Sequence, residues 1–348
     1  MYWPNSTWTW SLFLVVIGQA VIGLALEGFV FGRFIQALRG GPHTPEVRSI
    51  DTFLSLFIFG FLYEVYLTWD ALKNKNTIQV IGLCAYNVGL IIYAAIQVNQ
   101  IEDSIITLAS NGTAITADLW PILRPFLVAI PCVTALGTVL ICIVAWKLYD
   151  EFSWSIYKNI SADVAMRRRY LVYLIYITLL KFDFFFFISF TVQFTVVVLE
   201  TRDIEFALTI AALPVIIIVL FLAAFWARKE SAPGMIVVMV MYLGAMAYFL
   251  FKLVRMYDVS SPAAQARVNT YIPSRRSLTT FAVVTLLLLV ATIFNAMWCT
   301  LNFGKGLKPH LERRKLQNVE DKVYPYETNV PYNGAVPLGQ VTTRMTID

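Results

Sequence analysis

The chain has 348 residues, of which 58% are apolar and 14% charged, with a net charge of +5. An ordinary soluble domain carries about 25% charged residues, and here the apolar residues gather into long runs at a mean hydropathy of +0.67. A water-soluble core cannot hide that much oil, so the chain reads as a multi-span membrane protein; collagen-like, disordered and disulfide-scaffold classes are excluded.

In chain order, about eight apolar stretches stand out: Trp10–Phe31, Thr52–Trp69, Ile78–Val98, Phe126–Trp146, Tyr170–Leu199, Phe206–Ala227, Met235–Val254 and Leu278–Thr300. Each is long enough, at about 1.5 Å per residue, to cross a hydrocarbon core of about 30 Å. Unpaired backbone groups are costly in lipid, so the spans are expected to be helices. Tryptophans fall at or near the span ends, as indole rings favour the headgroup level. The first stretch is taken as a helix of the mature protein, because Met1–Trp10 has no Lys or Arg and no small-residue cleavage pattern follows. Pro121, Pro125, Pro131 and Pro214 are expected to start or kink the fourth and sixth spans. The pairs Gly28/Gly32 and Ala85/Gly89 have the spacing that lets helices approach closely.

The fifth stretch is too long for the core, at about 45 Å of helix. Before it, Ile156, Ile160 and Val164 recur every four residues, and Trp154–Met166 is expected to be a short amphipathic helix on the membrane surface. After the last span the composition changes. Residues 1–303 form the transmembrane domain, and 304–348, polar and punctuated by Pro309, Pro325, Pro331 and Pro337, read as a disordered cytosolic tail. The fold class is thus an all-α bundle of about eight transmembrane helices, with seven as the alternative.

Orientation follows from Lys and Arg. With both termini in the cytosol, that side holds Lys73, Lys75, Lys147, Lys158, Arg167, Arg168, Arg169, Arg228 and Lys229. The start of the tail adds Lys305, Lys308, Arg313, Arg314, Lys315 and Lys322. These outnumber the basic residues of the opposite side, although the basic segment around Arg275 and Arg276 lands there against the rule. Arg167–Arg169 and the tail root are expected to lie on anionic lipid as a basic anchor. The loop Asn99–Leu119 lacks Lys and Arg and carries the sequon Asn111-Gly112-Thr113, a candidate glycosylation site on the luminal side.

Charges inside spans are the informative residues, since each costs about 2.5–3.5 kcal/mol on insertion scales. They are Glu27, Glu64, Lys181 and Asp183, with Asp70 at a boundary. Lys181 and Asp183 are two residues apart and face opposite sides of one helix, so each needs a separate partner. By depth, Lys181 is expected to meet Glu64. Polar Gln19, Asn87, Gln97, Gln193 and Asn295 add hydrogen-bonding groups, and Glu27, Asn87 and Gln193 join the three central charges as site candidates. No metalloprotease, phosphate-loop or serine-hydrolase motif is present. The four cysteines lie inside apolar stretches, and the two histidines, His43 and His310, lie outside them, giving no metal-ligand spacing. The expectation is therefore no enzyme, no catalytic residue, no metal and no cofactor.

The segments Trp69-Asp70-Ala71-Leu72, Lys75–Gly82, Trp154–Lys158, Ala162-Asp163 and Leu180–Phe187 carry a resemblance. From about Asp51 to Phe303 the chain resembles a family of fungal Golgi-apparatus multi-pass membrane proteins. The resemblance implies residence in the Golgi membrane, with another endomembrane or the plasma membrane as the alternative. It brings no activity and no catalytic residues. Three functions are then open: non-enzymatic support of trafficking or of membrane-protein organisation, a small-molecule, ion or proton-coupled transporter using Glu64, Lys181 and Asp183, and a seven-helix receptor. Expected partners are the lipid bilayer and other membrane or trafficking proteins. Nucleic acid is not among them, because the basic residues sit beside apolar runs.

Overall fold

The computed structural model describes residues 6–38, 44–110, 119–159, 164–198, 204–258 and 272–305, with Gln265 alone between the last two. These residues belong to one unit, Met1–Leu307. Beyond Lys305, the tail expectation lies outside the described residues, as does Asn111.

Among the described residues, eight helices are long and apolar enough to cross a membrane. They are α1 (Thr7–Leu38), α2 (Pro45–Lys73), α3 (Thr77–Ser110), α4 (Leu119–Asn159), α5 (Val164–Val198), α6 (Ile204–Lys229), α7 (Ala232–Arg255) and α8 (Arg275–Leu301). A single 3-10 turn, Ile272–Ser274, leads into α8. The seven-span alternative is thereby set aside. Every apolar stretch read from the sequence falls within one of these helices, save Leu199, which is outside the described residues. The helices overrun the stretches because a helix continues past the apolar boundary for as long as its backbone pairs are kept.

Two hairpins show why neighbouring helices run antiparallel. Lys73 ends α2, and the Asn74 side chain donates to the Asp70 carbonyl (3.0 Å) and carboxylate (2.9 Å). Lys75 then takes a left-handed φ of 47°, and the chain turns straight into α3. Between α6 and α7, Glu230 does the same with φ 54°, and a proline in the first turn starts α7.

One expectation is corrected here. Trp154–Asn159 is not a separate surface helix; its backbone forms the last turns of α4, a helix of 41 residues. Four-residue spacing of apolar residues marks a helix face but cannot tell a new helix from the continuation of the one before. Residues 160–163 lie outside the described residues. Pro125, Pro131 and Pro214 lie inside α4 and α6 without ending them.

The helices pack as two consecutive four-helix groups. In the first, α1–α2, α2–α3, α3–α4 and α4–α1 are neighbours; in the second, α5–α6, α6–α7, α7–α8 and α8–α5 are. The groups meet where α2 and α3 lie against α5, with α3 also touching α8. Accordingly α2 and α5 are the most enclosed spans, 61% and 56% buried, and α6 and α7 the least, at 22% and 28%. The seam is aromatic. The Phe185 ring centroid lies 5.5 Å from Phe59, 5.5 Å from Tyr63 and 5.1 Å from Tyr86. Phe184 meets Tyr63 at 5.8 Å and Phe186 meets Tyr86 at 6.4 Å across the same seam, while Phe187 packs on Phe249 of α7 inside the second group at 5.3 Å. Phe184, Phe185 and Phe186 thus pack between the groups, and Phe187 packs inside the second.

The small-residue pairs are also corrected. A Cβ built on Gly28 or Gly32 meets nothing within 4 Å, and one on Gly89 meets only Phe186, at 3.9 Å. The close approaches occur instead at Gly23 under Phe61, Gly82 under Phe182, Gly137 under Gln19 and Gly234 under Trp226. The four-residue spacing fails as a signal because it identifies small residues without saying which face a helix turns to its neighbour.

Candidate functional site

The intramembrane polar groups form three clusters, each tying helices together. The first sits inside the α1–α4 group. Glu64 of α2 accepts from Asn87 Nδ2 of α3 at 2.6 Å and from Gln19 Nε2 of α1 at 3.2 Å. Gln19 Nε2 also donates to Asn87 Oδ1 at 2.7 Å, closing a triangle of three helices. All three side chains are buried. Two turns further along α1, Glu27 accepts from Gln97 Nε2 of α3 at 3.2 Å. Burial of a carboxyl group in a bilayer is costly unless hydrogen bonds replace water, and here side-chain amides supply them.

The second cluster lies on the seam, near the end of the bundle where α1 begins. Lys181 Nζ of α5 is paired with Asp70 of α2 and donates to Gln79 Oε1 of α3 at 2.8 Å. Gln79 Nε2 in turn donates to the Leu67 carbonyl at 2.8 Å, and Asn76 Nδ2 donates to Thr178 Oγ1 at 3.0 Å. Tyr63 OH donates to the Lys181 carbonyl at 2.6 Å. The Lys181–Glu64 contact expected from depth is therefore wrong. Glu64 points into the first group, toward α1 and α3, whereas Asp70 lies nearly two turns closer to the membrane surface on the face that meets α5. Depth alone left two acids of α2 within reach; the helix face decided between them.

The third cluster lies in the second group. Asp183, fully buried, accepts from Thr292 Oγ1 of α8 at 2.6 Å through one carboxyl oxygen. Its other oxygen has no hydrogen-bond partner. Nearer the opposite end, Gln193 Nε2 donates to Ser277 of α8, which donates to the Ser274 carbonyl at 3.1 Å. Ser274 shares a 2.8 Å bond with Ser49 of α2, so this chain of hydroxyls also spans both groups. Lys252 of α7 is buried over the Phe194 ring at 4.3 Å. Asn295 donates to the Val172 carbonyl at 3.2 Å.

Part of the expected basic anchor lies among the described residues. Arg169 donates to the Lys305 carbonyl at 2.7 Å, and Arg168 lies 5.6 Å from the Trp298 ring. The Gly304 amide donates to Glu230 at 3.0 Å. The root of the tail is thus held against the starts of α5 and the α6–α7 turn. Lys308, Arg313, Arg314 and Lys315 lie outside the described residues.

The comparisons bear on what this architecture is. A UPF0658 Golgi apparatus membrane protein of the fission yeast Schizosaccharomyces pombe is 34% identical over 318 residues, covering 85% of this chain and 87% of that protein. The chain belongs to that family of Golgi membrane proteins. No family model and no solved structure matches it. The family thus has eight candidate spans in this member, tied by carboxyl–amide and lysine–carboxylate contacts.

Several participants were missed in the sequence, among them Gln79, Thr292, Gly137 and Lys252, a charge buried inside the seventh stretch. Each matters through the neighbour it touches across a helix interface. Two had a readable cue: Lys252 is a charge within an apolar stretch, and Gln79 follows the short Asn74–Asn76 turn that brings it level with Asp70.

Proposed function

We propose that this protein is a non-enzymatic Golgi membrane protein that organises or supports the traffic of other membrane proteins. The observation that carries this reading is the direction of the intramembrane hydrogen bonds. Glu27, Glu64, Lys181 and Asp183 each bond to a helix other than their own, the first three to α3 and Asp183 to α8, so the charged groups serve as ties that hold a fixed eight-helix body. The held tail root gives that body a fixed point from which the tail departs, and recognition falls to the tail and the helix ends.

A second reading, a transporter, is favoured by one feature. Glu27, Glu64 and Asp183 have no cationic hydrogen-bond partner among the described residues, and Asp183 keeps one oxygen unpartnered. Buried acids of this kind mark proton and ion paths in other membrane proteins. The test pairs two variants of the full chain in cells. Truncation after Lys305 is expected to impair the arrival of Golgi-resident membrane proteins while leaving the stability of the bundle unchanged. Asp183→Asn, which keeps an oxygen for Thr292, is expected to support normal arrival. Reversal of that pattern, together with proton or cation flux in proteoliposomes that Asp183→Asn abolishes, overturns the organising role in favour of transport.

A further inference from the structure

Two of the four cysteines stand together. Cys84 of α3 and Cys142 of α4 meet through their thiol groups. The register of the two helices accounts for this. Gly137 of α4 and Asn87 of α3 both lie against the Gln19 side chain, which brings them to one level. Cys142 follows Gly137 by five residues, and Cys84 precedes Asn87 by three. Because α3 and α4 run antiparallel, both steps lead toward the end of the bundle where α1 begins, by about 7.5 and 4.5 Å. The Cys84 thiol also donates to the Val80 carbonyl of its own helix at 3.7 Å.

The pair lies at the edge of the α3–α4 interface and not within it. Cys84 is half-buried and Cys142 is exposed. Beside them Ile81 of α3 and Val139 and Ile143 of α4 are exposed as well, so Cys142 opens onto hydrocarbon. Trp146, one turn further along α4 and 75% exposed, marks the headgroup level. Cys142 therefore sits about 6 Å inside that level. The other two cysteines are placed elsewhere, Cys132 exposed at an earlier position of α4 and Cys299 buried in α8.

We infer that Cys84 and Cys142 form a reversible dithiol–disulfide site whose oxidant is a lipid hydroperoxide. The inference goes beyond the organising role and does not depend on it. A hydroperoxyl group is polar, so an oxidised acyl chain carries it up toward the headgroup level, where Cys142 stands. The Cys142 sulfur takes the outer peroxide oxygen; the O–O bond breaks, and the lipid leaves as its alcohol with the thiol proton. The sulfenic acid formed on Cys142 then condenses with the neighbouring Cys84 thiol. The S–S bond forms, the S–O bond breaks, and water leaves with the Cys84 proton. Two thiols are thus oxidised by two electrons, and one hydroperoxide is reduced to an alcohol. The disulfide staples α3 to α4 one turn from Asn87, and a small soluble thiol reverses it by exchange.

The experiment uses the purified full-length chain, reduced and then reconstituted into phosphatidylcholine vesicles. Part of the phosphatidylcholine carries a hydroperoxide on one acyl chain. Remaining thiols are capped with N-ethylmaleimide after denaturation, and peptides are mapped by mass without reduction. The wild-type chain is expected to lose the Cys84 and Cys142 thiols together and to yield a linked peptide pair that dithiothreitol separates. The lipid hydroperoxide is expected to form this link at least tenfold faster than hydrogen peroxide at equal concentration. In Cys84→Ser the sulfenic acid on Cys142 finds no thiol and is trapped by dimedone, and in Cys142→Ser the Cys84 thiol survives. Absence of the linked pair, a link made instead to Cys132 or Cys299, or loss of the two thiols at different rates overturns the site. Equal rates with the two oxidants overturn entry from the lipid. The mapping of the wild-type chain decides even where a variant fails to fold.

Discussion

Gly137→Ala is the sharpest perturbation of the first cluster. A Cβ at this position of α4 falls 1.7 Å from Gln19 Oε1, 2.7 Å from Cδ and 3.2 Å from Cγ. Gln19 is not free to swing away, because its amide nitrogen holds Asn87 at 2.7 Å and Glu64 at 3.2 Å. Relief of the clash therefore breaks both bonds. Interhelical hydrogen bonds in bilayers are worth about 0.6 kcal/mol each and up to about 1.7, and weakening the satisfaction of a buried carboxyl group adds about 1–3 kcal/mol. The expected loss is about 2–4 kcal/mol. Gln19→Ala loses the same bonds but also removes the obstacle, so adding Gly137→Ala to it is expected to cost less than about 0.5 kcal/mol. The two changes should then couple by about 1.5–4 kcal/mol, far outside the additivity of independent sites. Reversible unfolding in mixed micelles measures the cycle. Wild-type stability for Gly137→Ala, or additive losses in the double variant, refutes the triangle of Gln19, Glu64 and Asn87.

Two further outcomes follow from the seam. Lys181→Met is expected to destabilise the chain by about 2–3 kcal/mol, below the range for a fully buried pair because both side chains keep some exposure; Asp70→Asn in the same chain should restore part of this, whereas exchanging Lys181 with Glu64 should restore nothing, as read by unfolding of each combination. Gly82→Ala places a Cβ 2.5 Å from the Phe182 ring and is expected to cost about 1–3 kcal/mol by overpacking, while Gly28→Ala, with open space around it, should be neutral in the same assay.

The membrane class and the positions of the eight spans were legible in the sequence because both rest on local quantities. Hydropathy over about 20 residues and the need to pair every backbone group in lipid act along one segment at a time. The identity of most of the costly residues was legible for the same reason: Glu27, Glu64, Lys181 and Asp183 stand out against an apolar background wherever their helices go, although Lys252, near the end of its span and buried, was passed over. So was the opposed facing of Lys181 and Asp183, a consequence of helical rotation. The partners were not. Lys181 meets Asp70 rather than Glu64 because α2 turns one face to α1 and α3 and another to α5, and that rotation is set by the packing of eight helices together. The close approach at Gly137 and the open space at Gly28 are decided in the same way, since a glycine is tight or idle according to what another helix places over it. In lipid this division is sharper than in water. An apolar span is equally at home facing hydrocarbon or another helix, so its own composition carries little information about which side it turns inward, and only side-chain packing and polar ties between spans fix it.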